Sequence, residues 1–170
     1  MLYHYPFPSR LKWMANAFKR GYQFVDEDGH YMGKMEFSTF GKKIQSELNG
    51  VVVNFLLQGV FIQKILISDE DHEPLGTIQL GLFGKSTINL NSGEVYFWKN
   101  KNIFQTRWQL IHDLPGTDND PISVDYQYMY RFVQESGEIE LFEESERPEL
   151  LTLIGFFLGI YFIRQRRKRG

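Results

Sequence analysis

Four places in the sequence bring together side chains that could bind a cation, hold a phosphate or activate a nucleophile. Asp26 and Asp28 stand two apart with His30 behind them, and Asp69 and Asp71 repeat the arrangement with His72. Clustered carboxylates are what a hard cation such as calcium requires. A twelve-residue calcium loop fails here, because its third ligand position holds His30 and its glycine position Tyr31. Solvated hairpin tips are the simpler reading, and a shared metal site would need the two tips to meet in space. His112-Asp113 with Ser123 offers the residue types of a hydrolase triad, but no glycine-flanked nucleophile elbow accompanies them. Gly84-Lys85-Ser86 resembles the end of a phosphate loop, yet the glycine required five positions earlier is Gln79. With no cysteine, thiolate zinc sites and thiol nucleophiles are excluded together. No catalytic residue, metal, cofactor or small-molecule substrate is therefore expected. A hydrolase built on an unrecognised carboxylate pair is the remaining enzymatic alternative.

Charge is distributed unevenly along the chain. Seven glutamates lie between Glu135 and Glu149, with Arg147 the one basic residue among them. Arg164, Arg166, Arg167, Lys168 and Arg169 then place five positive charges in six residues. The net charge of −2 thus conceals an acidic body and a basic tail. A nucleic-acid-binding domain would carry its positive charge across a face of the fold, so nucleic acid is not an expected partner. The tail is the candidate contact for phosphates of an anionic membrane surface. The plainer alternative is a frayed, solvated terminus, with another protein as partner.

The elements that must position these groups read mainly as β-structure. Aromatic residues make up 16% of the 170 residues, which favours pleated sheets. Apolar runs at Tyr22–Val25, 51–55, 60–67, 75–82, 87–90, 94–98, 104–112, 123–133 and 138–142 alternate with turn signals. The turns are expected at Asp26–Gly29, 71–74, 91–93, 115–121 and Ser136-Gly137. Many short strands at this spacing predict an antiparallel sandwich or barrel. A faint repeat supports reuse of one hairpin: Asp26-Glu27-Asp28 with Gly33 recurs 43 positions later as Asp69-Glu70-Asp71 with Gly76. Ser92-Gly93-Glu94-Val95 is echoed by Ser136-Gly137-Glu138-Ile139. Residues 1–21 are expected to form a separate segment, with Leu11, Met14 and Phe18 on one stripe of a short amphipathic helix capped by Ser9. No signal-peptide core lies between Met1 and Arg20, so the cytoplasm is the expected compartment.

Residues 150–163 are apolar on every side, and a helix of that kind must be buried in protein or lipid. Pro148 and Glu149 mark its start. At about 1.5 Å per residue this run spans roughly 21 Å, against about 30 Å of hydrocarbon. Spanning also conflicts with the basic tail, because one orientation exports the domain and the other drives five charges across. A core helix is the expected role, with a single-span anchor as the alternative. The domain then covers residues 22–163, and 164–170 form the tail.

Hairpins such as Phe24-Val25-Asp26-Glu27-Asp28-Gly29 and Ile67–Gly76, followed by Trp108–Asp113 and an almost purely apolar helix at 150–163, resemble the tubby C-terminal-like superfamily. The likeness is nearest to its bacterial LURP-one-related and phospholipid scramblase-like members. That resemblance implies a closed barrel around a central C-terminal helix and a binding or scaffold module rather than an enzyme. The chain shows neither the acidic calcium motif of the scramblases nor a basic pair matching the tubby phosphoinositide pocket.

Overall fold

The computed structural model describes residues 6–16, 20–38, 42–59, 61, 64–81 and 84–170. Twelve strands follow one another: β1 (Arg10–Ala15), β2 (Gly21–Val25), β3 (Tyr31–Phe37), β4 (Lys43–Leu48), β5 (Val51–Gln58), β6 (Lys64–Ser68), β7 (Pro74–Leu80), β8 (Ser86–Leu90), β9 (Val95–Asn100), β10 (Arg107–Asp113), β11 (Ile122–Arg131) and β12 (Gln134–Leu141). One helix, α1 (Pro148–Arg169), ends the chain. Every strand pairs antiparallel with its sequence neighbours, and β1 also pairs with β12, which closes the barrel. Trp13 stands at that seam, opposite Phe24 on one side and Gly137 on the other. Closure removes the exposed edges that an open sheet would present.

The barrel encloses α1. Ten large apolar side chains of the helix are buried between Leu150 and Ile163, more than any strand supplies. At about 1.5–3 kcal/mol for each such side chain, the helix is the largest single contributor to the core. Phe156 meets the rings of Trp13, Tyr22 and Phe24, while Phe157 stacks on Phe55 at 4.4 Å. On the opposite wall Trp98 and Trp108 both donate their indole N–H to the Gly155 carbonyl, at 3.2 and 3.0 Å. Tyr126 Oη donates to the carbonyls of Leu151 and Thr152. The expected core helix is thus present, surrounded by protein. No helix among the described residues is long and apolar enough to cross a membrane.

Several expectations need correction. Residues 10–15 are not helical: they form strand β1, whose Leu11 and Trp13 point inward between exposed Arg10 and Lys12. Leu11, Trp13 and Ala15 also alternate at period two, and the lumen selects that strand pattern over the helical stripe of Leu11 and Met14; Phe18 lies outside the described residues. The barrel therefore begins within the segment read as separate. Strand β4 escaped the reading because Lys43, Gln45 and Glu47 alternate with inward Ile44, Ser46 and Leu48. Nor does the chain turn at Ser136-Gly137, which lies inside β12; the reversal is at Phe132-Val133. Residues 164–169 continue α1 without a break, so the basic tail is the last turns of the helix rather than a frayed end.

The first repeat has a structural counterpart. Asp26 Oδ1 accepts from the backbone N–H groups of Asp28 and His30, and Asp69 Oδ1 does the same for Asp71 and Glu73. Both hairpins also carry a register shift, at Phe24/Val25 and Ile67/Ser68. The second echo has none, since Gly93 sits in a turn at φ +98° and Gly137 sits in mid-strand.

Candidate membrane-facing end of the barrel

In an up-and-down barrel, alternate connections gather at opposite ends. Those after β2, β4, β6, β8, β10 and β12 share the end where α1 enters, and they hold thirteen Asp and Glu residues against one arginine, Arg147. The connections after β1, β3, β5, β7, β9 and β11 share the end where α1 emerges with its five basic residues. Among the described residues of those connections there is no Asp or Glu, while Arg20, Lys42, Lys85 and Lys101 add positive charge. Charge in the connections is therefore segregated along the barrel axis. The basic residues also complement the negative end of the helix dipole, and Glu149 the positive end.

The basic end is also apolar at its tips. Phe61, Ile103, Phe104, Phe132 and Val133 stand in these connections and are exposed, Phe132 to 97% and Ile103 to 89%. Phe132 and Val133 form the whole two-residue turn between β11 and β12 with φ values of +51° and +61°. A hairpin turn with both residues left-handed is ordinarily Asn-Gly, and a β-branched residue there is strained. Two apolar side chains are thus held in water on a backbone that disfavours them.

The five predicted site residues divide by their contacts. Arg164 is half-buried, its guanidinium 3.9 Å from the Phe37 ring centre and 5.6 Å from that of Tyr22, and it donates to Tyr22 Oη at 3.5 Å. Arg167 pairs with Glu135 and donates to Tyr128 Oη at 2.7 Å. Arg166 Nη1 donates to the Phe104 carbonyl at 3.1 Å, which ties the helix end to an apolar tip. Lys168 and Arg169 are exposed. Burial raises the Tyr22 hydroxyl above its ordinary value, with Arg164 pulling it down and Glu135 pushing it up. Burial likewise raises Tyr128. A cavity of about 400 Å³ opens beside the helix end, between it and the β1–β5 wall.

The other candidate side chains are engaged in local contacts. Asp26, Asp28 and His30 do gather, but Asp26 already accepts from its own hairpin backbone and from His30 Nδ1. The backbone N–H of His30 is the first cause holding the Asp26 carboxyl below its usual range. His112 and Ser123 are brought together through Glu143, which accepts from Ser123 Oγ at 2.6 Å and contacts His112 Nδ1 at 3.0 Å. Glutamate, not histidine, faces the serine hydroxyl, so the serine–histidine–acid order of a triad is not formed. Lys85 reaches the Phe97 ring at 5.4 Å from a turn in which the Gly81 N–H donates to the Lys85 carbonyl.

The apolar tips went unnoticed in the sequence because Phe61, Phe104, Phe132 and Val133 were absorbed into expected strands. The available signal was overrun, since apolar runs longer than the strands they feed must surface at an end. Compared with known proteins, the chain matches no family model, no curated protein and no solved structure.

Proposed function

We propose that this protein is a non-enzymatic module that docks on an anionic lipid surface through the end of the barrel where α1 emerges. The observation that carries the reading is the coincidence, at one end, of exposed apolar tips with the basic helix terminus. Peripheral binding of this kind combines insertion of apolar groups into the interface with attraction of basic residues to anionic headgroups. Large exposed apolar groups otherwise oppose solubility, and strain at Phe132-Val133 adds to that cost. The acidic end would face away from a negative surface, so the charge axis orients the barrel as well as attracting it. Membership in the tubby C-terminal-like superfamily belongs to the same proposal, and its support is the helix-in-barrel architecture that the resemblance implies.

Cosedimentation with phosphatidylserine-containing vesicles, against vesicles of phosphatidylcholine alone, tests this directly. Binding is expected to the former, to weaken with salt, and to fall in the Arg166→Gln/Lys168→Gln/Arg169→Gln variant. At about 1 kcal/mol per charge near such a surface, three charges amount to roughly a hundredfold. Equal binding to both vesicles, or to neither, would overturn the proposal and turn attention to a protein partner.

A further inference from the structure

The cavity beside the helix end has two chemically distinct halves. Its floor is made by Phe37, Ile44 and Leu57, from the ends of β3, β4 and β5, and Ile44 and Leu57 are buried. Arg164, Arg167 and Lys168 on the last turns of α1 make its charged lining, together with Glu135, which is paired to Arg167. At about 400 Å³ it falls within the range of small-ligand pockets.

Arg164 differs from its neighbour on the helix. Arg167 has a carboxylate partner in Glu135. Among the described residues no carboxylate lies within salt-bridge distance of Arg164, and its one hydrogen bond is the 3.5 Å contact to Tyr22 Oη. A guanidinium has five N–H donors in a planar fork suited to carboxylate or phosphate. Here the guanidinium carbon lies 3.9 Å from the ring centre of Phe37, a floor residue, and so stands at the boundary between the apolar interior and the mouth.

We infer that the cavity binds a single-chain anionic amphiphile, its acid group on Arg164 and its alkyl chain on Phe37, Ile44 and Leu57. The inference rests on the lipid-docking reading, because the mouth opens at the end that would meet the membrane and a ligand could pass directly from it. A neutral alkyl chain would leave the Arg164 fork unmatched, and a bare anion would leave the floor wet. Both halves are needed, which separates this site from non-specific attraction of the tail to a charged surface.

Calorimetric titration of the full chain with dodecanoate below its micelle concentration tests the inference. Dodecanol, acetate and inorganic phosphate are the controls. One dodecanoate per chain is expected, bound at least tenfold more tightly than dodecanol, with no measurable heat from acetate or phosphate. Arg164→Gln should weaken dodecanoate at least tenfold, and Arg164→Lys should restore part of the loss, with Tm measured on each variant. A destabilised Arg164→Gln shifts the decision to the dodecanoate-to-dodecanol ratio of the unaltered chain. Equal affinity for acid and alcohol, saturation at many ligands per chain, or no binding would each overturn the inference. Phe132→Ser/Val133→Ser should lose vesicle binding and keep dodecanoate. Vesicle binding without dodecanoate binding sinks the cavity assignment alone, and dodecanoate binding without vesicle binding sinks the docking reading alone.

Discussion

The indole of Trp108 occupies the space in which a side chain at Gly159 would stand: a Cβ built there would overlap the ring. Gly155, one turn earlier, is covered in the same way by Tyr126. These two glycines are the surface on which the wall of β10 and β11 closes over the helix.

Gly159→Ala should therefore destabilise the protein. Alanine favours a helix interior over glycine by about 1 kcal/mol. Overpacking of a filled core costs about 1–3 kcal/mol. The clash involves rings fixed by stacking on each other and by hydrogen bonds to the helix, so packing prevails, and Gly155→Ala should behave alike. Urea unfolding with a lowered midpoint and unchanged slope is the expected result. A raised midpoint would mean that the wall relaxes freely.

Removing the helix should remove the fold. A chain ending at Arg147 would face its inward Trp, Tyr and Phe side chains onto a water-filled lumen. It is expected to lack cooperative thermal unfolding, measured by near-ultraviolet circular dichroism. A folded truncation would show that the strands close without α1.

Replacing Phe132-Val133 by Asn-Gly should separate stability from docking. The substitution puts residues that accept positive φ where both are required, relieving about 1–3 kcal/mol per strained residue at most. Thermal unfolding should shift upward while cosedimentation with anionic vesicles declines. Unchanged vesicle binding would remove the tip from the docking surface.

Thr152 is fully buried, and among the described residues its hydroxyl has no hydrogen-bond partner. Thr152→Val keeps the shape and removes an unsatisfied polar atom, which is neutral or stabilising by about 1–3 kcal/mol. A clear loss of stability in urea would place an unseen partner at that hydroxyl.

Alkaline pH should weaken the fold. Burial raises Tyr22, Tyr96, Tyr126, Tyr128 and Tyr161 above the ordinary value of 10. Above that pH the unfolded chain loses phenolic protons that the folded chain retains. The stability these groups contribute is thus complete below pH 10 and declines as pH rises through their folded values. Tyr126→Phe should lower stability at neutral pH through its lost hydrogen bonds, yet show a shallower decline above pH 10. An identical slope would contradict the shift at Tyr126.

The class of fold, the helix from Pro148 and most strands are legible in the sequence, because apolar alternation and turn residues are local signals. Asp26-x-Asp28-Gly29 and the apolar run at 150–163 each state their structure within a few residues. The same signals misled at Leu11–Ala15, where two periodicities fit, and at Phe132-Val133, where the turn uses residues that no turn rule favours. Arg164–Arg169 were legible as a basic cluster, but not as the end of a helix threaded through a lumen. Not legible in the sequence is that Phe61, Ile103, Phe104, Phe132 and Val133 share an end of the barrel with that cluster, that Glu143 lies between His112 and Ser123, and that Arg164 overlooks a cavity. These relations join residues far apart in the chain, and barrel closure, which places every second connection at the same end, is what brings them together.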